Sequence, residues 1–158
     1  MPNRPLTVLK KNNVKQQGFT LVEMLVTIAV MAIIVAIAAP SMSRQLADQR
    51  IRTTAATLDN ALSTAKAESL IRKQKVKVSI TGTTIQVVPL KADGSDDTAN
   101  KIAEYKVNSQ ISPTTTITFN PYRQVTATCY NITDDNGSAR QVQVDATVNI
   151  SIKSAGSC

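Results

Sequence analysis

Phe19–Ala39 reads FTLVEMLVTIAVMAIIVAIAA, twenty-one residues with one charge, Glu23, and no glycine or proline. As a helix this run spans about 31 Å, the thickness of a bilayer hydrocarbon core. Upstream of it, Arg4, Lys10, Lys11 and Lys15 precede Gly18 with no acidic residue among them, and the next cation downstream is Arg44. That asymmetry predicts a membrane-crossing helix with its N-terminus in the cytoplasm.

Two simpler readings compete. One is a secretory signal peptide cut at a small-x-small site such as Ala36-Ile37-Ala38, although the apolar run is longer than such peptides use. The other is an unprocessed anchor. Neither accounts for Glu23. A carboxylate five residues into an apolar helix costs on the order of a few kcal/mol in lipid unless it stays near the interface, is protonated or meets a cation. The nearest cation would be an α-amino group made by cutting between Gly18 and Phe19, on the same chain or on a neighbouring helix with an axial offset. Glu23 then becomes an assembly group rather than a catalytic one.

Pro40 closes the apolar run, and a proline there removes a backbone hydrogen bond and breaks, bends or ends the helix. Beyond it the 3.6-residue period continues. Ala47, Ile51, Ala55, Leu58, Leu62, Ala65 and Ser69 follow steps of four and three, with Leu46 and Leu70 widening the stripe. No glycine or proline interrupts residues 41–81, so an amphipathic helix is predicted to about Ile71. Its alanine-rich stripe suits close packing against a sheet.

From Val76 the period switches to two. Val76, Val78 and Ile80 alternate with polar residues, Thr81-Gly82 turns the chain, and Ile85, Val87 and Val88 follow. Further strands are expected over 102–107, 116–120 and 124–133, with a hairpin turn at Asp135-Asn136-Gly137. The alternation of Val142, Val144, Ala146, Val148, Ile150 and Ile152 predicts one long final strand. The fold class is therefore α+β: a long N-terminal helix, then five to seven antiparallel strands with one face buried, under the 41–71 helix.

Composition narrows the chemistry. The 158 residues contain no histidine and two cysteines, which removes His-based triads and zinc sites as well as four-cysteine metal sites. No cofactor, no metal and no enzymatic activity are expected. Of the net charge of +7, more than half lies in the N-terminal arm. The densest basic cluster elsewhere is Arg72, Lys73, Lys75 and Lys77, which suits a helix C-terminus and an outward strand face. It lacks interleaved aromatics, which argues against a nucleic-acid patch. Cys129 falls in a predicted strand and Cys158 ends the chain, both outside the cytoplasm in this topology. They read as a disulfide or as two free thiols; a bridge would close a loop of ~30 residues, stabilising by roughly 3–4 kcal/mol at most.

The string Gly18-Phe19-Thr20-Leu21-Val22-Glu23, between a basic leader and about twenty apolar residues, resembles a type IV prepilin signal. The resemblance implies that a prepilin peptidase cuts after Gly18, that the Phe19 amine is methylated, and that the helix is kept as anchor and filament core. It also implies that a proline near position 40 need not end the helix. Ile117-Thr118-Phe119-Asn120-Pro121 with Arg123, then Ala139-Arg140-Gln141-Val142-Gln143-Val144, is similar to the GspH/FimT family of minor pilins and pseudopilins. A terminal cysteine paired with an internal strand cysteine is similar to FimU-type minor pilins. DNA-uptake members carry Gly-Arg-x-Arg near the C-terminus; the matching stretch here, Asp145-Ala146-Thr147-Val148-Asn149, has neither residue type.

These readings divide the chain into a cleaved leader (1–18), a transmembrane half-helix (19–40), an amphipathic half-helix (41–73) and a β-rich periplasmic or extracellular domain (74–158). The favoured function is a minor type IV pilin that helps prime pilus assembly near the filament tip. A GspH-type pseudopilin of a type II secretion system and a DNA-binding minor pilin are the alternatives. Implied partners are other pilins or pseudopilins, the prepilin peptidase and an inner-membrane assembly platform. The location is the bacterial inner membrane, single-pass, and then the filament.

Overall fold

Small residues at helical spacing decide where the long helix meets the rest of the chain. A computed structural model describes residues 18–122, 124–134 and 137–154, with the backbone alone at 39 and 40. Helix α1 spans Leu21–Arg72. It therefore runs through Pro40, where a break was expected. One forfeited N–H bond is tolerable between helix formers such as Ala38, Ala39 and Met42. The chain nonetheless divides at this point into two compact units, one ending at Ala39 and the other beginning at Pro40.

In the second unit, Ala47, Ile51, Ala55, Leu58, Leu62, Ala65 and Ser69 are all buried, as their spacing predicts. Leu46 and Leu70 are not; they are 57% and 36% exposed. The stripe widens instead through Thr54 and Ala61, which sit nearer its centre line. Small side chains on that line let the sheets approach the helix axis closely.

Among the described residues eight strands follow: β1 (Val76–Thr81), β2 (Thr84–Pro89), β3 (Ala103–Lys106), β4 (Gln110–Ser112), β5 (Ile117–Phe119), β6 (Thr128–Thr133), β7 (Ala139–Val144) and β8 (Ile150–Ser154). They form two four-stranded antiparallel sheets, ordered β3-β2-β1-β5 and β4-β6-β7-β8. Gly82, at φ +58°, opens the two-residue hairpin that pairs Thr81 with Thr84. Inward residues of both sheets, including Val78, Val87, Phe119, Tyr130, Ile132 and Val142, join the helix stripe in a single hydrophobic cluster. Tyr130 and Phe119 are its largest fully buried side chains. Burial pushes the Tyr130 phenol up, while its hydroxyl donates to the Thr115 carbonyl at 3.3 Å.

The short strand β4 was not anticipated, and the long final strand is in fact a hairpin, with Val144 paired to Ile150. Asp145 makes the turn. Its carboxylate accepts the Thr147 hydroxyl at 2.6 Å and the backbone N–H groups of Thr147 and Asn149, each at 2.9 Å. The Asp145 carbonyl also accepts the Val148 N–H at 3.0 Å. Val148 sits at φ +64°, an unfavourable conformation for a β-branched residue. Its side chain is buried and its carbonyl accepts Lys66 Nζ of α1 at 2.8 Å, and these two contacts offset the strain. Alternation survives across the turn because Val148 still points into the core.

The Thr147 hydroxyl, then the Asn149 and Thr147 amides and the Lys66 charge, hold the Asp145 carboxyl below the usual carboxylate range. A depressed folded-state value adds stability above the unfolded value and loses it as pH falls through the folded one. Asp145→Ala should accordingly melt at a lower temperature than wild type at neutral pH. The gap should narrow as the pH falls below the ordinary carboxylate range, measured by thermal circular dichroism on the full chain in detergent. A gap that stays constant on acidification would show that the carboxylate charge plays no part.

Candidate functional site

The N-terminal motif is built on the first turn of α1. The Glu23 backbone N–H donates to Thr20 Oγ1 at 3.2 Å, and the Met24 N–H donates to the Thr20 carbonyl, also at 3.2 Å. Thr20 is thus the N-cap, and Thr20-Leu21-Val22-Glu23 has the spacing of a capping box, a signal the motif reading had passed over. Glu23 lies in the first turn, where a negative charge complements the helix dipole. Phe19, just before the helix, is 76% exposed.

Gly18 occupies open space. A Cβ placed on it meets no atom within 4 Å, and its backbone is not in the left-handed region. Nothing in the described fold requires glycine here. The apolar helix makes a similar statement. From Phe19 to Ile37 its exposed large side chains show between 50% and 79% of their surface. Leu21–Ala38 is long and apolar enough to cross a membrane, and none of it is buried within the chain. Such a surface needs lipid or other apolar helices around it.

The basic cluster separates in three dimensions. Arg72 pairs with Glu68 one turn back on α1, and Lys77 pairs with Asp96 of the β2–β3 connection. Both pairs are partly exposed and contribute little to stability. Lys73, at φ +52° just past the helix, and Lys75 line a surface hollow of about 330 Å³ with Gln74, Leu90 and Lys91. Lys91 was absent from the sequence-level cluster. Tyr122, on the β5–β6 loop, is 84% exposed.

Cys129 lies on β6 opposite Gln143, and no described cysteine is free. Cys158, the basic arm over 1–17, Arg123, and Asp135 and Asn136 of the expected hairpin turn lie outside the described residues. No cluster of three or more histidine, cysteine or acidic residues suited to a metal exists among the described residues.

Residues 13–39 match the prokaryotic N-terminal methylation motif. The fold is similar to that of the type IV minor pilin FimU of Pseudomonas aeruginosa, with a TM-score of 0.54 at 14% identity, covering 65% of this chain and 91% of that one. A second crystal form of FimU gives 0.55 at 13% identity, covering 67% and 90%. The minor pseudopilin EpsH of the Vibrio cholerae type 2 secretion system gives 0.56 at 13% identity, covering 68% and 99%. The chain therefore combines the N-terminal methylation motif with the type IV pilin fold: an apolar helix continuing into an amphipathic one that packs on antiparallel sheets. Both are in keeping with the resemblance to GspH/FimT minor pilins and pseudopilins.

Proposed function

We propose that this protein is a minor type IV pilin, made as a membrane precursor and later built into a filament, where it helps prime assembly near the tip. The observation that carries the reading is the pairing of an uncovered apolar helix, capped by Thr20, with a glycine at position 18 that the described fold does not need. A protease that must grip an extended backbone explains that glycine, because the residue brings no side chain into the cleft. On this reading the leader over 1–18 is removed on the cytoplasmic side and the Phe19 amine is methylated. The helix over 19–40 anchors the subunit in the inner membrane, with the domain over 74–158 on the far side. Other pilins, the prepilin peptidase and an inner-membrane assembly platform are the partners.

A second reading is kept because the likeness to EpsH spans 99% of that chain. It makes the protein a minor pseudopilin of a type II secretion system. Filaments sheared from cells and probed for the tagged protein distinguish the two. Recovery with extracellular pili supports the pilin, and retention in the envelope with a secretion defect on deletion supports the pseudopilin.

Processing is read by intact mass. The mature protein should match residues 19–158 plus one methyl group, and a bulky replacement of Gly18 should leave the precursor uncut. A mature start near Ala39 would instead select an ordinary signal peptide.

Glu23 is proposed to pair with the Phe19 amine of a neighbouring subunit, which relieves the cost of its charge among apolar helices. Glu23→Ala should still insert and be cleaved, yet should appear in sheared filaments at a small fraction of the wild-type level. Normal incorporation of the processed variant would sink the pairing.

Cys129 and Cys158 are proposed to form a disulfide. Ser154 ends β8 two strands across from β6 and roughly three residues past the level of Cys129. That separation is about 14 Å, within reach of four further residues plus a disulfide. Non-reducing peptide maps of envelope protein should recover the two cysteines linked, and recovery of both as free thiols would refute the bond.

A further inference from the structure

The sheet β4-β6-β7-β8 ends on β8, and no strand pairs with the outer side of β8 among the described residues. The phase of the β7–β8 hairpin fixes which backbone groups face that open side. The Asp145 N–H donates to the Asn149 carbonyl at 3.1 Å, which makes Val144–Ile150 a non-hydrogen-bonded pair and Gln143–Ser151 a hydrogen-bonded one. Ser151 and Lys153 therefore turn their N–H and C=O groups to β7. Ile150, Ile152 and Ser154 turn theirs outward.

The other sheet margins are guarded. Strands β4 and β5 have three residues each and run into Pro113 and Pro121, while β3 carries the exposed charges of Glu104 and Lys106. Short strands, prolines and charges are the common protection against edge pairing. Strand β8 is five residues long and has no proline. Its one charge, Lys153, donates to Gln143 Oε1 of β7 at 2.6 Å and so lies back over its own sheet. Ile152 shares a face with the buried Val142 opposite it, yet is 43% exposed. The proposed Cys129–Cys158 bridge would draw the four residues after Ser154 across β7 towards β6, away from the open side.

We propose that β8 pairs antiparallel with β8 of a second copy, centred on Ile152. The outward residues are spaced symmetrically about that centre, so each outward N–H meets a carbonyl. Ile152 exchanges two bonds with its counterpart, and Ile150 exchanges two with Ser154 of the other copy. On the inner face the two Ile152 side chains stand about 5 Å apart and cover each other. On the outer face Lys153 stands opposite Ser151. A register slipped by two residues would either set Lys153 against Lys153 or leave Ser154 without a partner in β8, so the centred register is favoured. The two-fold axis of this pair stands on the sheet and reverses the direction of the helix packed against it. On the proposed filament reading the pair therefore joins subunits of separate filaments rather than neighbours in one; the pairing itself does not depend on that reading. Two five-residue strands make a small contact, so self-association should be weak.

The test is sedimentation equilibrium of the full-length protein in nonionic detergent across the micromolar range. Wild type should show a reversible monomer–dimer equilibrium. Ile152→Lys and Ile152→Asp should each weaken it by about tenfold or more, because each sets like charges face to face. An equimolar mixture of the two variants should associate to within about threefold of wild type, since residue 152 faces its own counterpart. The control Ile71→Lys, at an exposed position on α1, should change the equilibrium by less than about twofold. Amide exchange at Ile150, Ile152 and Ser154 should slow as concentration rises, and melting curves check that each variant is folded. Association through the apolar helices would be indifferent to residue 152. A monomer throughout the range, equal losses in the Ile71 control, or a mixture no better than the single variants would each overturn the pairing.

Discussion

The fold depends on one line of small and aliphatic side chains along the second half of α1. Ile51, Ala55, Leu58, Ala61, Leu62 and Ala65 are each at most 1% exposed, and both sheets close over them. The β-rich part has few aromatics to contribute, since Tyr122 is outside the core and Tyr105 only packs against its margin. The helix therefore supplies the surface on which two small sheets become one core. Removing a side chain such as Leu58 would leave a cavity costing about 2–5 kcal/mol, a large share of the stability of a domain this size. Contacts away from this line, such as the Lys66 bond to the Val148 carbonyl, secure the loops around it.

The same helix meets two solvents. Past Pro40 its apolar face is narrow and its other faces carry charges such as Asp48, Arg50 and Arg52, so one side is covered by protein and the rest by water. Before Pro40 it is apolar on every side and uncovered. That difference explains why the chain separates into two units at this residue. One unit is stabilised by its own core, while the other requires an environment that the chain does not supply. Glu23 stands at the far end of the apolar part, where capping and the helix dipole favour it locally and a lipid surrounding would disfavour it.

Where sequence reading and structure part, the causes are specific. Leu46 and Leu70 were added to the stripe because they are apolar, but at about 100° per residue both lie well away from its centre line. Alternation from Val142 to Ile152 was continuous, yet the chain reverses at Asp145. An aspartate that accepts three bonds within its own loop competes with the strand. Period-two patterning is blind to such a turn when the turn residue, Val148, is itself buried. Strand β4 has a single inward residue, Ile111, so no alternation marks it, whereas the equally short β5 turns both Ile117 and Phe119 inward.

Local rules were enough for the N-terminal motif, the membrane-length apolar run, the helical stripe and most strand positions. Each depends on residues within a few positions of one another, and backbone geometry turns that spacing directly into a face or a cap. The charge pattern was of another kind. Lys77 is neutralised by Asp96, nineteen residues away, while Lys91 and the loop carrying Tyr122 come beside Lys73 and Lys75 only when β1 pairs with both β2 and β5. Strand pairing decides such neighbours, because hydrogen-bonded register brings together residues that the linear order keeps apart. The existence of the helix and the sheets was therefore legible in the order of residues, and which charges remain free at the end of α1 was decided by the tertiary structure.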